Sequence, residues 1–182
     1  MLERLKIIFL CIAGAIIYGE IHDQITVRIC LEYFTEHHPQ ILGGTQNPTL
    51  LAISWGVIAT WWVGFFLGLP LAVCATVGKL PKITARGLIQ PVVVVLLILG
   101  TLAAVAGCVG HFMAVGGYRP PEDLGVSESY RVGFVTAWFT HNASYGFGGL
   151  LGIALCVWAL RRRYVAAKGQ RFTPAQTAGN RP

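Results

Sequence analysis

The chain is organised around residues 19–39, which read GEIHDQITVRICLEYFTEHHP. This segment directly follows an apolar run, and it contains three of the five histidines and four of the eight acidic residues. Polar residues gathered beside an apolar run are typical of a membrane helix whose end reaches water. We therefore interpret the segment as the outer end of a first membrane helix followed by a polar cap, and as the place where the function resides.

The remaining sequence is apolar enough to have a bilayer as its solvent. Of the 182 residues, 54% are hydrophobic and only 12% are charged, and the mean hydropathy is +0.61. A soluble domain carries about 25% charged residues. The composition predicts an all-α, four-helix transmembrane domain over 1–165, followed by a disordered cytoplasmic tail over 166–182.

Four stretches have the length and hydropathy of a membrane helix, which needs ~20 residues. They carry small residues at four-residue spacing, a pattern that lets helices approach closely. The predicted spans cover about 5–21, 49–77, 88–114 and 131–160. The predicted helix-packing positions are Gly56, Gly64, Gly68, Gly107, Gly148 and Gly152.

The distribution of basic residues predicts the orientation. If both termini and the loop around 78–87 share one side, every Lys and Arg except Arg28, Arg119 and Arg131 lies on that side. Cytoplasmic loops are enriched in Lys and Arg. We therefore expect both termini in the cytoplasm of a bacterium, with the chain in its inner membrane. The net charge of +6 is confined to short loops and tails, which excludes a nucleic-acid-binding surface.

Three histidines are predicted to converge at the outer membrane boundary. With a rise of ~1.5 Å per residue, His22, His111 and His141 fall at similar heights on three different helices. Each lies beside a small-residue face, and Glu20 and Asp23 lie at the same level. Imidazole and carboxylate groups are metal ligands, and helical bundles build metal and cofactor sites from facing helices. The five residues form a candidate site for a transition metal or a haem.

Further polar candidates lie in the outer cap, at Glu32, His37 and His38. Such residues at a membrane surface also serve as ordinary solvated or hydrogen-bonded groups, so a structural role stays open for each. The five cysteines are scattered and odd in number, which does not indicate a disulfide framework. A single bridge between Cys30 and Cys108 stays open.

Two other functions fit the same sequence. One is a structural or accessory subunit whose small-residue faces pack against a membrane partner or a second copy of the chain. The other is a small proton-coupled transporter with Glu20 or Asp23 as the proton carrier. No strong catalytic motif decides whether the protein is an enzyme.

The stretch IHDQITVRICLEYFTEHHP, residues 21–39, resembles a segment of an uncharacterised family of bacterial multi-pass membrane proteins. The resemblance covers about a tenth of the chain. It implies a multi-pass membrane location and no particular activity.

Overall fold

The computed structural model of this protein describes residues 1–171, with side chains through Gly169. The prediction of an all-helical chain is confirmed, and no strand occurs over that range. A short 3-10 turn over Glu122–Leu124 is the one additional helical element there. The α-helices are α1 (Leu2–Ile29), α2 (Leu31–Thr35), α3 (Pro48–Ile58), α4 (Trp61–Thr76), α5 (Ala85–Val115) and α6 (Arg131–Arg171).

The prediction of four long apolar helices is also confirmed. Each is long and apolar enough to cross a bilayer, so the chain is a membrane protein. The spanning stretches are Leu2–Ile29, Pro48–Thr76, Ala85–Val115 and Arg131–Gly169. Of the tail predicted over 166–182, residues 166–171 continue α6, and residues 172–182 lie outside the described residues.

Local sequence explains where helix α3 begins. The side chain of Asn47 accepts hydrogen bonds from the backbone of Thr49 and Leu50, and Pro48 occupies the first turn of α3. The second spanning stretch is interrupted at residues 59–60, where α3 ends and α4 begins. Helix α4 continues through Pro70, a residue type that often kinks a helix.

The helices form two packed pairs. Helix α1 packs against α3 and α4, and α5 packs along α6. The pairs meet where α4 contacts α6 and where α1 contacts α5. We name the end that contains residues 30–47 and 116–130 the long-loop end, and the end that contains Met1 and residues 77–84 the short-loop end.

Glycines let α1 approach α3 and α4 backbone to backbone. A Cβ atom added to Gly56 would lie 2.6 Å from Glu20 Cα, and one added to Gly64 would lie 2.6 Å from the Cys11 carbonyl oxygen. Both distances are too short for any side chain. Gly68, Gly107 and Gly152 also face neighbouring helices closely, whereas Gly148 has only Leu99 nearby, at an ordinary contact distance.

The buried core is divided into two clusters, one at each end of the bundle. The cluster at the long-loop end includes Val27, Phe34, Leu51, Ala114 and Phe134. The cluster at the short-loop end includes Ile7, Leu71, Ala75, Leu88, Leu155 and Ala159. The space between the clusters contains the cavity described below.

The segment that follows α1 folds back over the long-loop end. Helix α1 stops because Cys30 adopts an extended conformation, with φ −152° and ψ 103°. The short helix α2 then turns Tyr33 and Phe34 into the bundle, where they are 8% and 2% exposed. All five cysteines are free thiols, and Cys30 is buried while Cys108 is exposed, so no bridge joins them.

Candidate functional site

Two of the predicted histidines meet inside the bundle. His22 of α1 and His141 of α6 pack edge to face, with ring centroids 4.6 Å apart. Asp23 lies beside them, and one ligand atom from each of the three residues lies within 4.8 Å of the others. We name His22, Asp23 and His141 the His–Asp group.

His141 is held in place from three sides. Its Nε2 lies 3.1 Å from Thr26 Oγ1 and 3.8 Å from Asp23 Oδ1. The Thr26 hydroxyl donates its own proton to the His22 carbonyl oxygen, so it accepts a hydrogen bond from the His141 ring. Tyr33 stacks on the imidazole with ring centroids 4.8 Å apart. These contacts fix the ring orientation.

His22 has one partnered and one unpartnered nitrogen. Its Nδ1 lies 3.5 Å from both Tyr18 Oη and Ser144 Oγ, which hydrogen bond to each other at 2.8 Å. Its Nε2 is buried and has no hydrogen-bond partner among the residues that the structure describes. A buried polar atom without a partner is costly, so this nitrogen is available for a ligand.

Asp23 brings a carboxylate into an apolar interior. The residue is only 4% exposed, and the only basic side chain within 4 Å of its carboxylate among residues 1–169 is His141, at 3.8 Å. That contact is too long for a hydrogen bond, and no described side chain gives the carboxylate a closer one. A carboxylate at membrane depth requires a cation or a proton for compensation.

The expected convergence of three histidines is wrong for His111. This residue is exposed on α5, and its Nδ1 lies 3.4 Å from Thr136 Oγ1 rather than near the His–Asp group. The face of α5 that packs on α6 is formed by Gly107 and Gly110, which directly face Thr140 and Phe139. Helical rise predicts the height of a residue along the helix well, but it predicts the direction around the helix axis only coarsely.

Glu20 also lies outside the His–Asp group. Its backbone packs directly on Gly56, at the contact between α1 and α3, and the residue is half-buried there. Asp23 is three residues further along α1 and faces α6 instead. Of the two carboxylates predicted for the site, the structure therefore places only Asp23 beside the histidines.

The three outer-cap candidates have separate surroundings. Glu32 accepts a hydrogen bond from Cys30 Sγ at 3.5 Å, and His37 Nε2 lies 3.3 Å from Tyr130 Oη. His38 Nδ1 lies 2.7 Å from the Tyr33 carbonyl oxygen. Burial of the His38 ring lowers its pKa, a shift that the Tyr33 carbonyl opposes and the neighbouring His37 reinforces.

Sequence reasoning missed the residues that surround the His–Asp group. Tyr18 precedes His22 by four residues and Ser144 follows His141 by three, so helical spacing places each beside its histidine. Tyr33 and Trp55 carried no such signal. They reach the site because α2 folds back and α3 packs against α1.

A cavity of about 160 Å³ opens beside the His–Asp group and runs toward the short-loop end. At the long-loop end its wall contains the His–Asp group, Tyr18, Tyr33, His38 and Trp55. Further along, the wall is apolar and is formed mainly by leucines, valines and small residues of α1, α4, α5 and α6. We name this cavity the channel.

Comparisons with protein-family models, with curated proteins and with solved structures find no match to this chain. Its function is therefore inferred from the chemistry of the His–Asp group and the channel. The membrane location is inferred from the four long apolar helices.

Proposed function

We propose that this membrane protein binds a divalent transition metal ion through His22, Asp23 and His141. The observation that carries the proposal is the proximity of their ligand atoms, which lie within 4.8 Å of one another although the residues come from opposite ends of the sequence. Donor atoms that each lie ~2.1 Å from a tetrahedral ion are about 3.4 Å apart. Small rotations of the two rings and the carboxylate would close the remaining gap.

The charge and hydrogen bonding of the three residues support a cation at this place. Within the described range, Asp23 is buried with only its 3.8 Å contact to His141, and His22 Nε2 has no partner. A metal ion would satisfy both groups at once. Coordination through His141 Nε2 would replace its hydrogen bond to Thr26 and would require the ring proton to reside on Nδ1.

Two imidazoles and one carboxylate leave part of the coordination sphere open. Three protein ligands with a vacant position are typical of zinc sites that bind water or a substrate, and of non-haem iron sites. The hydroxyl groups of Tyr18 and Ser144 hydrogen bond close to His22 and would orient its ring. A bound metal would supply Lewis-acid chemistry, and the adjoining channel would supply access.

The geometry favours a metal ion over a haem. Two histidines that ligate one haem iron lie on opposite faces of a flat macrocycle. Here the His22 and His141 rings pack edge to face with centroids 4.6 Å apart, which leaves no room for a macrocycle between them. The channel of about 160 Å³ is also smaller than the ~300 Å³ at which pockets for drug-sized ligands begin.

A second function is favoured by the hydrogen-bond chain Ser144–Tyr18–His22 beside the Asp23–His141 pair. Such a chain can pass protons, so the same residues would suit proton-coupled transport. One measurement distinguishes the metal-binding hypothesis from the proton-transfer hypothesis. A metal site binds a stoichiometric ion, whereas a proton site gives pH-dependent uptake from metal-free protein.

The test is metal analysis of protein purified in detergent after growth with added zinc, followed by titration of the stripped protein with Zn²⁺ and Co²⁺. We expect about one ion per chain and a tetrahedral Co²⁺ absorption spectrum. His22→Ala, Asp23→Asn and His141→Ala should each weaken binding by tenfold or more. His111→Ala and His37→Ala are matched controls that should retain the ion. Metal-free protein with no Zn²⁺ or Co²⁺ binding would contradict the proposal.

We further propose that the protein resides in a bacterial inner membrane with both termini in the cytoplasm. The support is that most basic residues of the described chain belong to the N-terminus, the 77–87 region and the end of α6, at the short-loop end, which agrees with the positive-inside rule. The His–Asp group would then lie toward the outer face. A periplasm-specific reporter enzyme should be active when fused within residues 116–130 and inactive when fused after Gly169, and the reverse pattern would contradict this orientation. A stoichiometric membrane partner found on purification would add an accessory role.

A further inference from the structure

We infer that the channel binds a single-chain amphipathic molecule, with an uncharged oxygen-containing head at the His–Asp group and an apolar chain directed toward the short-loop end. This inference extends the proposed metal site, because the head would reach His22. It also has independent support from the shape of the channel and from Trp55.

The channel is long and narrow rather than round. Its wall includes α1 from Cys11 to Asp23 and α6 from His141 to Leu155. With a rise of ~1.5 Å per residue, these stretches are about 18 Å and 21 Å long. A volume of about 160 Å³ along that length is narrow, so the channel favours a single chain over a wide fused ring system.

The two ends of the channel differ in chemistry. Between the His–Asp group and the short-loop end, the wall is lined by side chains such as Val63, Leu67, Val95, Leu96 and Leu99. Apolar cavities of this size stay free of ordered water and accept apolar molecules. All the described ionisable side chains except thiols lie at the long-loop end of the wall, so a ligand with one polar end has one favourable direction.

Trp55 identifies the type of head. Its indole Nε1 is buried and has no hydrogen-bond partner among the described residues, as is also true of His22 Nε2. An indole N–H is only a donor, so its missing partner is an acceptor such as a carbonyl or hydroxyl oxygen. The His38 ring packs against Trp55 with centroids 4.8 Å apart, and this contact holds the indole at the long-loop end of the channel.

In the metal-free protein, the charge of the site disfavours a carboxylate head. Asp23 lines the same end of the channel and is only 4% exposed, so a second carboxylate would be buried beside the first. Like charges at short distance in a poorly solvated site repel strongly. A quinone carbonyl and the hydroxyl of a long-chain alcohol both provide a neutral acceptor on an apolar chain, and the experiment separates these two sources.

The test uses the full chain in lipid nanodiscs and photoactivatable probes that carry a diazirine in the middle of a linear chain. The probes are a dodecyl alcohol, the matching dodecanoate, the matching alkane and a quinone with a ten-carbon chain. We expect the alcohol or the quinone to label channel residues at least fivefold more than the dodecanoate or the alkane. Of the alcohol and quinone probes, the one that labels more strongly identifies the natural head group.

Gly148 offers a way to block the channel without disturbing the packing. It lines the channel, and a Cβ atom added there would meet only Leu99, at 3.8 Å. Gly148→Leu should reduce labelling by tenfold or more, and Gly146→Leu is a matched control because Gly146 has no atom within 4 Å of an added Cβ and does not line the channel. Trp55→Phe should weaken labelling by the neutral-head probes several-fold and leave labelling by the alkane unchanged.

Metal content measured on the same samples separates this inference from the proposed function. Gly148→Leu and Trp55→Phe should keep their metal, and selective labelling in metal-free wild-type protein would support the channel even if the metal proposal fails. Equal labelling by all four probes, or equal labelling of wild type and Gly148→Leu, would overturn the inference while leaving the metal result untouched.

Discussion

Buried ionisable groups occur at both ends of this bundle, but they differ in how completely they are hydrogen bonded. At the short-loop end, Arg163 is 2% exposed, and its guanidinium donates hydrogen bonds to four backbone carbonyl oxygens. The distances are 2.5 Å to Cys74, 2.6 Å to Val77, 3.1 Å to Leu80 and 2.8 Å to Pro81. The carbonyls belong to the end of α4 and the following loop, so Arg163 joins α6 to that end of the molecule.

At the long-loop end, the His–Asp group is also largely enclosed, but it is incompletely bonded. His22 Nε2 has no partner in the described part of the chain, and Asp23 has only its contact with His141 at 3.8 Å. A buried polar group that is fully bonded stabilises a fold, whereas one left unsatisfied indicates a ligand or a reaction. The difference supports a structural role for Arg163 and is consistent with the function proposed for the His–Asp group.

Replacement of Arg163 should have the largest effect on stability. Arg163→Met leaves four carbonyl oxygens without their donor, and each unsatisfied buried group costs ~1–3 kcal/mol. We expect the free energy of unfolding in mixed detergent micelles to fall by about 3 kcal/mol or more. Arg161→Met, at an exposed position on the same helix, should change it by less than ~0.5 kcal/mol. Equal stability of the two variants would refute the structural role.

Arg131 should give a smaller effect of the same kind. It donates hydrogen bonds to the carbonyl oxygens of Ala114 and Tyr118 at the end of α5, and its Nε bonds to Glu128. Its side chain is 12% exposed, so water can replace part of this bonding. We expect Arg131→Met to lower the free energy of unfolding by about 1–2 kcal/mol. The exposed Arg119→Met is the control, and a loss as large as that of Arg163→Met would argue against burial as the deciding factor.

His38 provides a case between fully bonded and unbonded groups, because one ring nitrogen bonds to the Tyr33 carbonyl. Burial lowers its pKa from the usual value near 6.5, so the unfolded chain takes up a proton first as the pH falls. The stability that it contributes is therefore present above about pH 6.5 and is lost below it. Thermal unfolding at pH 7.5 and pH 5 should show this loss, and His38→Gln should reduce it. An unchanged pH dependence in His38→Gln would assign the loss to other groups.

The smallest effect on stability should come from His22. Replacing it by Phe removes the buried Nε2, which has no partner among the described residues, and two long Nδ1 contacts of 3.5 Å, while Tyr18 and Ser144 keep their own hydrogen bond. An aromatic ring remains beside His141. We expect the metal-free His22→Phe protein to unfold at the same temperature as metal-free wild type, or slightly above it, while metal binding is lost. A marked destabilisation of the metal-free protein would show that His22 is structural, and the contrast with Arg163 would disappear.

The sequence predicted the helices better than their mutual orientation. Apolar runs of spanning length gave the four long helices, because hydropathy depends on composition over many residues. The approximate height of His22 and His141 also followed from the helical rise. The same reasoning wrongly predicted that His111 and Glu20 belong to the site, whereas both lie outside the His–Asp group. An error of one residue in a helix changes the facing direction by about 100°, whereas it changes the height by only ~1.5 Å.

Other features of the structure could not be predicted from the periodicity of the sequence. The extended conformation of Cys30 ends α1 and allows α2 to fold back, which brings Tyr33 onto the His141 ring. No proline marks the interruption of the second spanning stretch at residues 59–60, whereas Pro70 lies inside the continuous helix α4. Arg163 looked like one of three equivalent basic residues, and only its contacts with the 77–81 loop distinguish it from its neighbours.

The sequence by itself determined that this chain forms long apolar helices with a polar segment between the first two, because solvent preference is a sum over local residues. Only the tertiary structure decided which ionisable groups find partners. Partnering depends on side-chain directions, which are set by packing between helices that are distant in sequence. Among the described residues, this packing gives Arg163 four carbonyl partners and leaves His22 Nε2 beside the channel without one.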